Sequence, residues 1–251
     1  MMMKRTMTGL LAVSMLAAVP GVATAQESTT DRPVQTRDTA EPEVDRAARV
    51  KARALEAIDK RLVTIDELTA AVNRSATITT VHAEQLLAEL TASATGLSSL
   101  AEQIRAAEDA ETLRALVPQI FEDYRIHAVV APKVHLVLGA DGAGPAADRL
   151  DQTAQALDAA IDRLEDNGID LEVARALLAE MARLVESGAE TATSVPGMVL
   201  DLTPADYPGS TETIRSAHGV LQSVGSDLRA AGNDAREIVR LIRDAVEGDT
   251  Y

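Results

Sequence analysis

Apolar residues recur every three or four positions along most of the chain, a spacing that places them on one face of an α-helix. The longest such stripe begins at Ser210 and stays in phase for about 30 residues. The pattern predicts an all-α protein, arranged as an up-and-down antiparallel bundle of about six helices. The alternative is an extended antiparallel coiled coil that oligomerises, because stripes of this length can also pair between chains.

Prolines and glycines divide these stripes into elements. The third helix is predicted over residues 110–138, with Pro118 and Pro132 inside its pattern. An interior proline removes a backbone hydrogen bond and clashes with the preceding turn, so we expect a break before Pro118 and a kink near Pro132. The glycine-rich run 139–144 is predicted as a loop, and residues 192–210 as a long non-helical connection before the last helix.

The N-terminus has the three parts of a secretory signal peptide over residues 1–25: a basic start, a short apolar run and a small-residue cleavage site that ends at Ala25. We therefore expect cleavage near Ala25 and a protein that is secreted or stays in the periplasm or cell envelope. Residues 26–44 are polar and acidic, which predicts a disordered leader. Residues 45–248 form the predicted helical bundle domain, and no stretch in it is apolar enough to span a membrane.

Charge restricts the possible partners. The chain has 24 Lys and Arg against 39 Asp and Glu, a net charge of −15. The negative electrostatic potential of such a chain repels phosphate groups, so we expect no nucleic-acid partner. Residues 45–61 run against the trend, with six basic and three acidic residues. A first helix that lies along acidic neighbours explains this excess, and a patch for an anionic partner is the alternative.

The residue types needed for common catalytic and metal sites are missing or badly spaced. The chain has no Cys, which excludes disulfides, thiolate nucleophiles and Cys–zinc sites. None of its four histidines has a Glu three positions earlier, as the Glu-x-x-His pairs of di-metal bundles require. No nucleotide-binding or serine-hydrolase motif is present either. We therefore expect no enzyme activity, no cofactor and no metal.

One stretch, residues 117–144, concentrates the scarce aromatic and histidine side chains. A kinked helix opens a gap in a bundle, and such gaps bind small ligands. The candidate ligand-binding residues are Phe121, Tyr124, Arg125, His127 and His135. The alternative is that the aromatic rings fill the widest part of an alanine-rich core.

Two segments are similar to patterns found in uncharacterised exported bacterial α-helical proteins. They are Tyr124-Arg125 to Leu138 and Leu202-Thr-Pro-Ala-Asp-Tyr-Pro208. The plan of signal peptide, polar leader and helical domain also resembles that group, and the resemblance implies an exported helical protein without implying an activity or a site.

The leading hypothesis is a non-enzymatic exported interaction or structural protein of the cell envelope or medium, with a protein partner or self-association. The alternative is a small-molecule or metal-binding helical bundle with its site near residues 117–144.

Overall fold

The computed structural model describes residues 43 to 248, with side chains described from Arg46 onwards, and every regular element among them is helical. The α-helices are α1 (Glu43–Arg74), α2 (Thr80–Ala106), α3 (Ala110–Leu116), α4 (Gln119–Glu122), α5 (Ala131–Glu165), α6 (Glu172–Val199) and α7 (Ser210–Gly248). A π-helical turn, Ile126–Val130, precedes α5, and a 3-10 turn, Pro204–Asp206, precedes α7. The expected all-α class is confirmed for these residues.

The signal peptide and most of the leader lie outside the described residues. Positions 43 and 44, which the sequence assigned to the leader, are the first two residues of α1.

Two buried apolar clusters hold the helices together. The first is formed by α1, α2, α3 and the first part of α5, together with the end of α6 and the start of α7. The second is formed by the rest of α5, the start of α6 and the end of α7. A contact between Ala143, Ala192 and Val224 lies between them. Helices α5, α6 and α7 therefore run through both clusters, whereas α1 and α2 cover only the first.

The α1–α2 turn meets α5 about a third of the way along that helix, where the Thr79 backbone N–H donates to Asp141 Oδ2 at 2.9 Å. From this point α2 runs back along α5, since its Glu89 pairs with Lys133. The rest of α5 extends in the opposite direction.

The expected count of about six helices and the kinked third helix are not confirmed. Five helices among the described residues are long, with between 27 and 39 residues each. The stretch predicted as the third helix is divided into α3, α4, the π-helical turn and the start of α5. Pro118 lies just before α4, and Pro132 lies in the first turn of α5. The expected break before Pro118 is present, since α3 ends at Leu116 and α4 begins at Gln119. Pro132 follows directly on the π-helical turn, at a position where its missing N–H costs α5 no hydrogen bond.

The first predicted loop is helical and the second is shorter than expected, with the connection between α6 and α7 confined to residues 200–209. Residues 139–144 lie inside α5, and α6 continues through Pro196 to Val199. At Gly139 an added Cβ would lie 2.6 Å from Cδ2 of Leu221 on α7. The missing side chain lets α7 approach closely, and this packing outweighs the low helix propensity of glycine.

Two glycines inside helices test whether close packing, and not helix propensity, explains why glycine stands at a position. At Gly219 of α7 an added Cβ meets nothing within 4 Å, whereas at Gly96 of α2 it would lie 2.8 Å from Cε1 of Tyr124. We expect Gly219→Ala to raise the free energy of unfolding by about 0.5–1 kcal/mol through helix propensity. We expect Gly96→Ala to be less stable than Gly219→Ala by about 1–3 kcal/mol, because the Tyr124 ring must move. Denaturant unfolding measures both, and equal gains would contradict the packing argument.

Candidate functional site

The two candidate aromatic residues have separate neighbours. Phe121 is 47% exposed, and the guanidinium carbon of Arg61 lies 4.5 Å from its ring centroid. Tyr124 is half-buried, with its ring against Gly96. Burial raises the pKa of the Tyr124 phenol, and burial lowers the pKa of Arg61. Tyr124 therefore packs into the helix assembly, whereas Phe121 lies at the surface under a cation.

Arg125 has the least common backbone conformation of the predicted residues. Its φ is 39°, in the left-handed region that residues other than glycine rarely adopt, and the π-helical turn follows directly. Its guanidinium carbon lies 4.1 Å from the centroid of the Tyr207 ring, and its Nε is buried without a hydrogen-bond partner. His127 and His135 are exposed. Ligand binding by the five residues stays a prediction, and no group of metal-ligating side chains is found between residues 43 and 248.

A buried lysine lies in the same stretch, and the candidate set missed it. Lys133 is 2% exposed, and its Nζ lies 2.6 Å from Glu89 Oε2. The ammonium also donates to the carbonyl oxygens of Leu202 at 2.6 Å and Leu200 at 3.4 Å. Three N–H groups thus have three acceptors, which satisfies the ammonium completely. The sequence signal was the position of Lys133 among the apolar residues of α5, where a lysine is buried only if it is paired.

The 3-10 turn near Lys133 is held by its own hydrogen bonds. The Asp206 carboxylate accepts from the Thr203 backbone N–H at 2.7 Å and from the Thr203 hydroxyl at 2.8 Å. These bonds, with the charge of Lys133, lower the pKa of Asp206 below its usual range. Because every donor of Lys133 is occupied within the protein, this cluster is suited to joining α2, α5 and the α6–α7 connection and leaves no donor for a ligand.

A groove between the start of α1 and α3 offers an accessible volume. Its cavity measures about 510 Å³, within the range of about 300–1,000 Å³ that is usual for ligand sites. The lining residues of this α1–α3 groove are Arg46, Ala47, Val50, Ala110, Leu113, Arg114, Val117 and Pro118. Leu113 is 3% exposed and Val50 39% exposed, so the groove has an apolar floor and an apolar rim. Arg46 and Arg114 are exposed, and no described residue pairs with either guanidinium.

Polar contacts fix both walls of the groove. Lys51 of α1 donates to the backbone oxygens of Ala107 at 2.7 Å and Arg105 at 3.0 Å, which ties α1 to the end of α2. Asp109 caps α3, since its carboxylate accepts from the Thr112 backbone N–H at 2.7 Å and from the Thr112 hydroxyl at 2.8 Å. These bonds lower the pKa of Asp109. Arg46 and Arg114 therefore lie on helices whose positions these hydrogen bonds hold in place.

Comparisons with protein families, with curated proteins and with solved structures find no match to this chain. None of the helices between positions 43 and 248 combines the length and the apolar character needed to cross a bilayer. The argument about function therefore starts from the chemistry of the groove.

The Lys133 cluster predicts a large difference between a buried and an exposed ion pair. Glu89→Leu leaves the Lys133 ammonium buried without its carboxylate, so we expect unfolding to become easier by about 2–4 kcal/mol. The control Glu56→Leu breaks a pair with Lys60 whose side chains are 64% and 71% exposed, and we expect a much smaller loss, because solvent already screens this pair. Adding Lys133→Met to Glu89→Leu should recover part of the loss, because the unpaired charge is removed. Urea unfolding of the four proteins checks this, and equal effects of the two glutamate changes would contradict it.

Proposed function

We propose that this protein is an exported, non-enzymatic interaction protein of the cell envelope or medium. Its binding face is the α1–α3 groove, and the groove holds an acidic, amphipathic helical segment of a partner protein. The observation that carries the proposal is the combination of an apolar floor with two arginines that pair with no described residue. Support for export comes from the signal-peptide pattern of residues 1–25.

The chemistry of the groove favours an acidic occupant. Two neighbouring helices leave a channel between them, and the apolar face of a third helix can fill such a channel. Leu113, Val50 and Val117 supply the apolar contact. Arg46 and Arg114 supply guanidinium groups, which bind carboxylates through two parallel hydrogen bonds. On a chain with a net charge of −15, a basic groove also attracts an acidic segment that the remaining surface repels.

We further propose that the long helices run up and down as an antiparallel bundle. Gly139 faces Leu221, and Leu150 faces Gly232, so contacts along α5 and α7 advance in the same direction. The start of α6 lies in the cluster that holds the ends of α5 and α7, which supports the opposite direction for α6. The rigid body that results would hold the groove walls in place without a partner.

A second candidate function is the binding of a small molecule. The groove reaches Val117 and Pro118, at the edge of the stretch 117–144 that the sequence singled out. Its volume and its arginines favour an apolar molecule that carries a carboxylate. This occupant would need no protein partner, so the two functions are distinguished by what the groove captures.

Photo-crosslinking tests the proposal directly. A photo-reactive amino acid in place of Val50 lies on the rim of the groove, and one in place of Val63, which is 57% exposed on the same helix, is its control. After crosslinking in the native exported fraction, mass spectrometry should identify an acidic helical segment captured from position 50 and not from position 63. Arg114→Glu should abolish this capture through charge repulsion. Arg149→Glu, which makes the same charge change on α5, should preserve it.

Two outcomes would contradict protein binding at the groove. One is the same set of captured proteins from both positions, and the other is an equal loss of capture with Arg149→Glu. A bound carboxylic acid in native mass spectra that is lost with Arg114→Glu, with no captured protein segment, would establish the second candidate instead.

A further inference from the structure

The end of the molecule opposite the groove carries a complementary surface. The first turn of α6 and the end of α7 enclose a hollow of about 340 Å³. Its exposed residues are Asp170, Glu172, Val173 and Asp244, which we call the acidic end face. We propose that this acidic end face of a second copy of the chain is the segment that enters the α1–α3 groove. The inference rests on the proposed function, and it names the partner.

The acidic end face presents an exposed apolar side chain among carboxylates. Val173 is 64% exposed, whereas its neighbour Leu171 is 5% exposed and belongs to the second core cluster. The Asp170 carboxylate accepts from the backbone N–H of Glu172 at 3.0 Å, which fixes the first turn of α6. Val173 therefore lies exposed on a first turn that the Asp170 hydrogen bond and the burial of Leu171 hold in place, and two acidic residues precede it within the same turn.

The two surfaces match in charge and in polarity. The groove is a recess with an apolar floor and two arginines, whereas the acidic end face has an exposed valine beside the carboxylates of Asp170 and Glu172, and its third carboxylate, Asp244, pairs with Arg240 at 3.0 Å. Opposite charges in contact favour one orientation of two copies, and like charges disfavour the others. With a net charge of −15 per chain, most other pairings bring acidic surface against acidic surface. The groove is thus the surface to which the acidic end face is electrostatically attracted.

The positions of the surfaces determine the kind of assembly. The groove lies beside the first core cluster and the acidic end face beside the second, so the two are separate surfaces of the chain. A contact between two different surfaces leaves each copy with one free groove or one free end face. Such a contact adds copies in a row unless the row closes into a ring. We therefore expect open-ended oligomers that lengthen with concentration.

Analytical ultracentrifugation of the protein purified as the cell produces it tests this assembly. At about 50 mM salt the average mass should rise beyond that of a dimer as concentration increases, and at about 500 mM salt it should fall, because salt screens the charge contacts. Arg114→Glu and Glu172→Arg should each weaken association by more than about tenfold. The controls Arg149→Glu and Glu186→Arg, which make the same charge changes elsewhere on α5 and α6, should associate like wild type.

Mixing the two weakened variants gives the decisive result. The Arg114→Glu chain keeps an intact acidic end face, and the Glu172→Arg chain keeps an intact groove. In an equal mixture the intact groove of one variant should bind the intact acidic end face of the other, so association should recover from the loss that each variant shows alone.

Other outcomes overturn the inference and separate it from the proposed function. A protein that stays monomeric at every concentration refutes self-assembly, and so does a closed dimer that Glu172→Arg leaves unchanged. If Val50 still captures another protein in an Arg114-dependent manner, the groove function stands without self-association. If nothing is captured there either, both proposals are wrong.

Discussion

The buried ammonium of Lys133 is the interaction on which the arrangement of the helices depends. It joins α2 through Glu89 and the α6–α7 connection through the carbonyls of Leu200 and Leu202, while its own backbone belongs to α5. A charge buried in the protein interior is tolerated only when its partners are in place, so α2, α5 and the α6–α7 connection must come together around Lys133. The place where α7 begins is set in this way, and with it the path of the longest helix.

The sequence predicted helices where local signals and packing agree. Thr79 caps α2, since its hydroxyl accepts from the His82 backbone N–H, and α7 begins at Ser210, where the longest apolar stripe begins. The prediction was wrong at residues 139–144, where glycine content indicates a loop and the approach of Leu221 favours helix. The contact between Gly139 and Leu221 joins residues about 80 positions apart, so it cannot be predicted from local helix propensity.

The groove shows a similar division between what can and cannot be predicted. The basic excess of residues 45–61 was visible in the sequence, and the structure explains several of its members by contacts within the chain. Lys51 binds the end of α2, and Arg61 covers Phe121, whereas Arg46 lines the groove. Arg114, the second groove arginine, comes from α3, and only the fold brings the two helices together. The aromatic and histidine residues predicted a ligand site in residues 117–144, a stretch that borders the groove and does not include its two arginines.

The measurement closest to the central claim is hydrogen–deuterium exchange of the protein, recorded at low and high concentration and with a partner captured from the exported fraction. If the α1–α3 groove is the binding face, amides of residues 46–50 and 110–118 should exchange more slowly on binding. Amides around Gly219, on the exposed face of α7, should not change. Unchanged exchange at both groove walls while the protein is demonstrably bound would contradict the account.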